Sequence, residues 1–473
     1  MHTASLGFKG KPQDASDIML AMPRCTRCLV AVLFPLVFTG LLRAQAPGAE
    51  QGLTLASPPQ TSVIVLHAAH LLDVERGVLV SPGEVLVRGN RIAEAGSSVS
   101  HPTGARVVDL GSETLMPGLI DAHVHLFLHP GAEDMQTVAE SAAQRTILAT
   151  LAARADLMGG FTAERDMGTE GVGAASVAVR NAIDEGLIPG PRLRVSANAI
   201  SILGGHEDAI HFNPAQHILP NADYANDRHE LIATIRQQLK DGADFIKIYQ
   251  TGQDRMVSGV LVTPYQYTAA QLAAAVAEAA RMGTRVGVHA MGEPGTLYAA
   301  QAGVASIEHA YQLSPETMRL MREKQIYAVP TFQIGEYFAS HAPTPQLAAF
   351  MKAIYAYHVA EFHKQLAANV PMAVGSDVGP FPHGTQAREL VLMHQNGMPT
   401  ADVFRADLLH GSRLLGWQDE IGQLKPGYDA DVIAVPGDPL TNIDVVTKVN
   451  FVMKNGVVFR DDAATATVDR GAQ

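Results

Sequence analysis

The chain has 473 residues, of which 47% are hydrophobic and 17% charged. That balance excludes wholesale disorder, and the length is enough for a large α/β domain with an accessory domain. A net charge of −12 argues against nucleic acid or an anionic membrane as partner, since both select basic surfaces.

The chain opens with an apolar run at residues 29–42, LVAVLFPLVFTGLL, flanked by Arg24 and Arg27 and followed by Ala44-Gln45-Ala46. The run is too short to span a bilayer and fits a signal-peptide core with an A-x-A cleavage site. Cys25 and Cys28 are the only cysteines. Their C-x-x-C spacing falls inside this leader, which disfavours a redox or metal role. The expectation is an exported protein, periplasmic or secreted, that loses residues 1–46, leaves the membrane on cleavage, and starts at Met1 or Met22.

Residues 47–61 read as a linker. From 62 to 115 the stretches SVIVLHAAHLLD, GEVLVRGNRIAEAG and ARVVDLGSETLMPG predict short strands separated by Gly, Asn and Pro turns. A matching set lies at residues 418–465, where Asn455-Gly456 between Val452-Met453 and Val457-Val458 signals a hairpin. Residues 466–473 are a tail. The plan is a small β-sandwich built from both chain ends, with residues 116–417 inserted between its halves.

The insert alternates strand-like and helix-like stretches. Helices are expected at residues 142–157, at HELIATIRQQLKDG closed by Gly242, at TAAQLAAAVAEAARMG and at SPETMRLMREKQ. Strands are expected at GLIDAHVH, GGFTAERDMG, RLRVSAN, DFIKIYQTG, RVGVHAMG, ASIEHA, IYAVPTF and PMAVGSD. Eight βα units predict a (β/α)8 TIM-like barrel, whose chemistry collects at the C-terminal ends of the strands.

The candidate donors lie at those ends. His123 and His125 are one residue apart, so their side chains share one side of a strand. Lys247 alternates with Ile246 and Ile248, which places it on the inner face together with Tyr249. A buried lysine must pair with a carboxylate or exist in a modified, uncharged-amine-derived form such as a carbamate. His289 and His309 end neighbouring strands, and Asp377 ends the eighth, where it could also serve as a helix N-cap. Four imidazoles, one lysine and one carboxylate supply enough donors for two divalent cations. Imidazole and carboxylate without thiolate suit zinc first, with manganese, cobalt or iron as alternatives.

HxH on the first strand, Lys on the fourth, His on the fifth and sixth and Asp on the eighth resembles the binuclear amidohydrolase superfamily. The likeness runs from about Val63 to Val458, from the opening PGLIDAHVH to the closing LKPGYDADVIAV. The loop GGHEDAIHF resembles the Xaa-Pro dipeptidase (prolidase-like) branch, which includes carboxypeptidases of dipeptides and N-acyl amino acids and amidohydrolases that cleave ochratoxin A. The segment YQTGQDRMVSG departs from that branch in lacking a Gly-Gly pair after the lysine. The resemblance implies two divalent metals, N6-carboxylysine at Lys247, and metal ligation by His123, His125, Lys247, His289, His309 and Asp377. It implies Asp377 as the catalytic general base, and Tyr249, His206 and then Arg255 as substrate-binding residues. The implied reaction is cleavage of the amide before a C-terminal hydrophobic or aromatic residue in small-molecule amides or dipeptides, ochratoxin A to ochratoxin α and L-phenylalanine included. A homo-oligomer is implied as well.

Other readings are a prolidase-type Xaa-Pro dipeptidase, a lactam-ring hydrolase or deaminase on the same fold, or a metal-free binding protein. Met291 stands where single-metal deaminases carry a Glu, and all six ligand positions are filled, which disfavours the last two classes. His129, His211, His217, His383 and His410 read as surface or loop residues.

Overall fold

The computed structural model describes residues 62–462 apart from positions 209, 211 and 214. The expected leader, linker and tail, with Cys25, Cys28 and also His211, lie outside the described residues.

The N-terminal strand stretches form two sheets. Val63–Ala68, Gly83–Arg88, Arg91–Gly96 and Arg106–Asp109 make a four-stranded sheet. The stretch SVIVLHAAHLLD, read as one strand, divides at Ala69, whose N–H donates to Gly111 O at 2.8 Å. Its second half, His70–Asp73, joins a six-stranded sheet with Val78–Val80, Glu113–Pro117, Val432–Pro436, Phe451–Lys454 and Val457–Asp461. Here the two ends of the described region meet. Glu113–Pro117 runs antiparallel to Val432–Pro436, with Met116 opposite Ile433. The hairpin foreseen at Asn455-Gly456 joins Phe451–Lys454 to Val457–Asp461. Leu66 and Val85 from the first sheet share an apolar cluster with Leu115, Val432 and Phe451 from the second.

Between these halves every ladder among the site-bearing strands is parallel. Leu119–Val124 pairs with Phe161–Asp166, which pairs with Arg192–Val195. Ile246–Tyr249, Val286–Ala290, Ser306–His309 and Tyr327–Val329 follow in order in a second sheet. Ile246, Ile248, Val286, Val288 and Ile307 are fully buried against helix residues such as Leu272, Met318 and Met321. The alternation leaves Lys247 on the opposite face, as expected from the strand period.

The eighth strand departs from a regular ladder. Residues 372–378 form isolated parallel bridges, Met372 to Ala328 and Val378 to Val124. Further bonds run from Ala122 N–H to Val374 O at 2.9 Å and from Asp377 N–H to His123 O at 2.8 Å. The segment thus touches both sheets. It is irregular because Asp377 adopts φ +64°, outside the strand region, and because Gly375 presses close enough that a Cβ there would lie 2.4 Å from Val329 Cγ1. On the other side, Asp244 N–H donates to Val195 O at 2.8 Å.

The helices start where their caps predict. Ser141 caps Ala142–Met158, Asp227 caps Arg228–Lys240, Ser314 caps Pro315–Lys324, and Thr268 with Gln271 forms a capping box at Ala269–Arg281. Two further helices, Phe332–His341 and Pro345–Ala367, follow Tyr327–Val329 and pack on one another. Among the described residues no helix is long and apolar enough to cross a membrane.

Candidate metal centre

Six separated segments bring their functional side chains into one cavity of about 350 Å3. His123, His125, Lys247, His289, His309 and Asp377 all line it, as do Tyr249 and His206. Arg255 does not: it is exposed at the start of the strand Arg255–Val257, outside the lining.

The imidazoles are oriented by their Nδ1 atoms. His123 Nδ1 lies 3.0 Å from Glu308 Oε2. His125 Nδ1 lies 3.2 Å from both Gly168 O and Glu170 Oε1. His309 Nδ1 lies 2.8 Å from Thr331 Oγ1. In His123 and His125 the remaining Nε2 atoms converge, 3.3 Å apart, and stand 3.2 and 3.3 Å from Asp377 Oδ1. Fixing one ring nitrogen to present the other is how proteins prepare histidine for a cation. The ring of His309 lies 5.3 Å from that of His123 and 4.4 Å from that of His289. The buried Nε2 of His289 has no hydrogen-bond partner among the described residues.

That orphaned nitrogen and the converging Nε2 pair fit a divalent cation. A donor set of nitrogen and carboxylate oxygen, without sulfur, is the set zinc accepts. His309 and Asp377 both have positive φ, +68° and +64°, although neither is glycine. Such strain is retained where the surroundings over-determine the geometry, as at ligand-gripping sites.

Lys247 is 1% exposed, and its Nζ stands 5.4 Å from the Tyr249 ring centroid. Burial lowers its pKa to about 8, against the opposing pull of Glu308 and Asp377. Burial likewise holds His206 at about 4 and His309 at about 3. Burial pushes Asp377 upward, but the charge of His123 and bonds from His123 and His125 outweigh it and hold the carboxyl well below its usual range.

Several residues of the site escaped the sequence reading. Glu308 orients His123 and is itself held by Arg165, whose Nη2 donates at 2.8 Å, and by the Ser306 hydroxyl. Glu170 accepts from the Tyr249 hydroxyl at 3.0 Å while touching His125. Glu133, Glu170 and Glu207 bring carboxylate oxygens within 4.8 Å of one another at the cavity wall. The available signal was charge inside otherwise buried strands, as at Glu164, Arg165 and Asp166, all nearly inaccessible. The opposite wall, Ile334, Phe338, Phe350 and Ile354, comes from the two unforeseen helices. Of the histidines read as surface or loop residues, His383 lies in a turn, half-buried, with Nδ1 2.8 Å from Asp156 Oδ2, and His410 Nδ1 lies 2.7 Å from Met372 O.

Residues 114–459 match the Amidohydrolase family. The chain belongs to that family. It is a hydrolase of amide or peptide C–N bonds, acting on small molecules, in a family that holds divalent metals. It is 28% identical over 445 residues to the ochratoxinase of Aspergillus niger, covering 86% of this chain and 89% of that one. A crystal structure of a Xaa-Pro dipeptidase with methionine bound in its active site is 31% identical, with a TM-score of 0.77 over 84% of this chain and all of the other. The crystal structure of the A. niger ochratoxinase is 26% identical, with a TM-score of 0.74 over 86% of this chain and 97% of its own.

Proposed function

We propose that this chain hydrolyses the amide bond preceding a C-terminal hydrophobic or aromatic residue in N-acyl amino acids and dipeptides, ochratoxin A among them. The observation that carries the proposal is the convergence of His123 and His125 Nε2 on Asp377 Oδ1, at 3.2 and 3.3 Å, in a cavity shared with Lys247, His289 and His309. His123, His125 and Asp377 would hold one divalent cation, zinc by donor type, and His289 and His309 a second. Lys247, carboxylated at Nζ, would serve both. Bound there, the cations would supply Lewis acidity toward the carbonyl and water ionised near neutral pH.

The chain's own groups supply the rest. Asp377 is positioned to take a proton at its carboxylate and return it to the leaving nitrogen. Ile334, Phe338, Phe350 and Ile354 offer an apolar wall for the side chain of the released residue. Both residues proposed to receive the substrate carboxylate line the cavity, but Tyr249 has its hydroxyl committed to Glu170, while the His206 ring lies tilted at 34° and 4.1 Å from that of His289. His206 is therefore the stronger candidate. Arg255, exposed outside the lining, is the weakest of the three.

The likeness to a Xaa-Pro dipeptidase supports a second reading, in which the released residue is proline. One library separates the two: N-acyl amino acids, Xaa-Pro and other dipeptides, and ochratoxin A, assayed for release of the C-terminal residue. Release of phenylalanine or leucine in preference to proline is expected. Exclusive proline release would select the second reading, and no release from any member would remove both.

The same proposal extends to architecture and location. The links of residues 372–378 to both parallel sheets, and of Asp244 to Val195, support a closed (β/α)8 barrel over residues 116–417. The shared cluster of the two antiparallel sheets supports a β-sandwich from residues 62–115 and 418–465. The apolar run near the N-terminus supports export.

A further inference from the structure

A second cavity, of about 180 Å3, opens at the other end of the parallel strands. Phe245 directly precedes the strand Ile246–Tyr249, Gly287 is the second residue of Val286–Ala290, and both line this cavity. The metal-centre residues His289 and His309 sit at the opposite, C-terminal ends of their strands.

Three guanidinium groups line it, Arg165, Arg194 and Arg285, against the single carboxylate of Asp244. That carboxylate is already divided: one oxygen lies 2.7 Å from Arg180 Nη1 and the other 3.6 Å from Arg194 Nη1. Arg165 is matched by Glu308. Arg285, exposed, makes no side-chain hydrogen bond or ion pair among the described residues. Burial lowers the pKa of Arg165, Glu308 raises it, and the charge of Arg285 lowers it further, so the two cations sense one another. Gly287 lines the cavity beside Arg165, where an added Cβ would crowd Ser306 Oγ at 3.1 Å and Glu308 Oε1 at 3.3 Å. Asp244 is shared with Arg180 and Glu308 with His123, so the three guanidinium groups around this small void keep an excess of positive charge that an anion would offset.

We propose that this cavity is a binding site for a small oxyanion of phosphate size, held by Arg285 and Arg194 with Arg165 behind them. Guanidinium groups match oxyanions through paired N–H donors. The volume admits a phosphate-sized anion and is too small for a nucleotide. The site meets the hydrolytic centre only through Arg165 and Glu308, and its proposed contacts to the anion include no metal, so it stands whatever the substrate proves to be.

The chain carries its own reporter. Trp417 is its single tryptophan, and the Arg194 guanidinium lies 4.3 Å from the centre of its ring. Inorganic phosphate is titrated into the full-length protein at constant ionic strength set with chloride, and followed by tryptophan fluorescence and by calorimetry. Saturable heat with a fluorescence change is expected, unaltered by prior metal removal with a chelator. Arg285→Gln, at an exposed position, is expected to weaken binding by about tenfold or more while leaving folding intact. Three results overturn the proposal: no saturable heat or fluorescence change in the parent, equal affinity in Arg285→Gln, or a response that disappears with the metals.

Discussion

Glu308 joins His123 to Arg165: one carboxylate oxygen lies 3.0 Å from His123 Nδ1, and the other accepts from Arg165 Nη2 at 2.8 Å. All three side chains are nearly inaccessible. Burial raises the Glu308 pKa, but Arg165 and His123 more than reverse this, so the group stays ionised. Glu308→Gln keeps the shape and removes the charge that fixes the His123 ring. Metal affinity should fall by about 10–100-fold, as measured by competition with a chromogenic chelator. Unchanged affinity would show that the ring is oriented by packing alone.

Lys247→Ala removes the one side chain proposed to reach both cations. Metal content, counted by plasma emission spectrometry on purified protein, should drop from two per chain toward zero, and hydrolysis with it. Short carboxylic acids added to the assay should restore part of the activity by occupying the vacated position. A fully active variant would dispose of the carboxylated lysine.

Asp377→Asn preserves volume and one oxygen while removing the proposed base. The expected result is a fall in kcat of roughly 10²–10⁴-fold with KM changed only a few-fold. A large rise in KM at the parent kcat would instead assign Asp377 to binding.

Much of this site was legible because strand periodicity fixes which neighbours share a face. Lys247 between Ile246 and Ile248 could only face inward, and it does. His123 and His125 share a side for the same reason, and their Nε2 atoms meet. What stayed hidden depended on contacts distant in sequence. Nothing near Glu308 announces that Arg165, 143 positions earlier, will be its partner. Likewise, His383 finds its partner in Asp156, 227 positions away. The wall formed by Phe332–His341 and Pro345–Ala367 lacks a sharp apolar stripe in its longer helix, whose buried residues include His358, Glu361 and Gln365. Arg255, implied third by the resemblance, is exposed at the start of the strand Arg255–Val257.

Phe362 is fully buried and meets Phe332 edge to face at 4.9 Å between centroids. This contact anchors the longer of the two wall helices to the central core. Phe362→Ala should cost about 3–5 kcal/mol in chemical denaturation. A loss under about 1 kcal/mol would mean that the surrounding side chains collapse into the space.

Lys454 is buried and donates to Gly190 O at 2.8 Å, and burial lowers its pKa from 10.5 to about 8. Between those values the unfolded chain binds more protons than the folded one, so the lysine's contribution to stability rises with pH. Relative to Lys454→Met, the parent should therefore gain on the order of 3 kcal/mol between pH 8 and 10.5 in denaturant titrations. A difference that stays flat over that window would mean the amine is not perturbed.

Asn450 donates to Glu113 at 3.1 Å across 337 residues, within the sheet where Glu113–Pro117 lies against Val432–Pro436. The strand that pairs this way leads directly into the HxH strand. During synthesis the early segment therefore waits for a partner strand made much later in the chain before its edge is sealed. A chain released short of Val432–Pro436 leaves that edge open, and truncation before this strand should yield aggregating protein rather than a weakened enzyme.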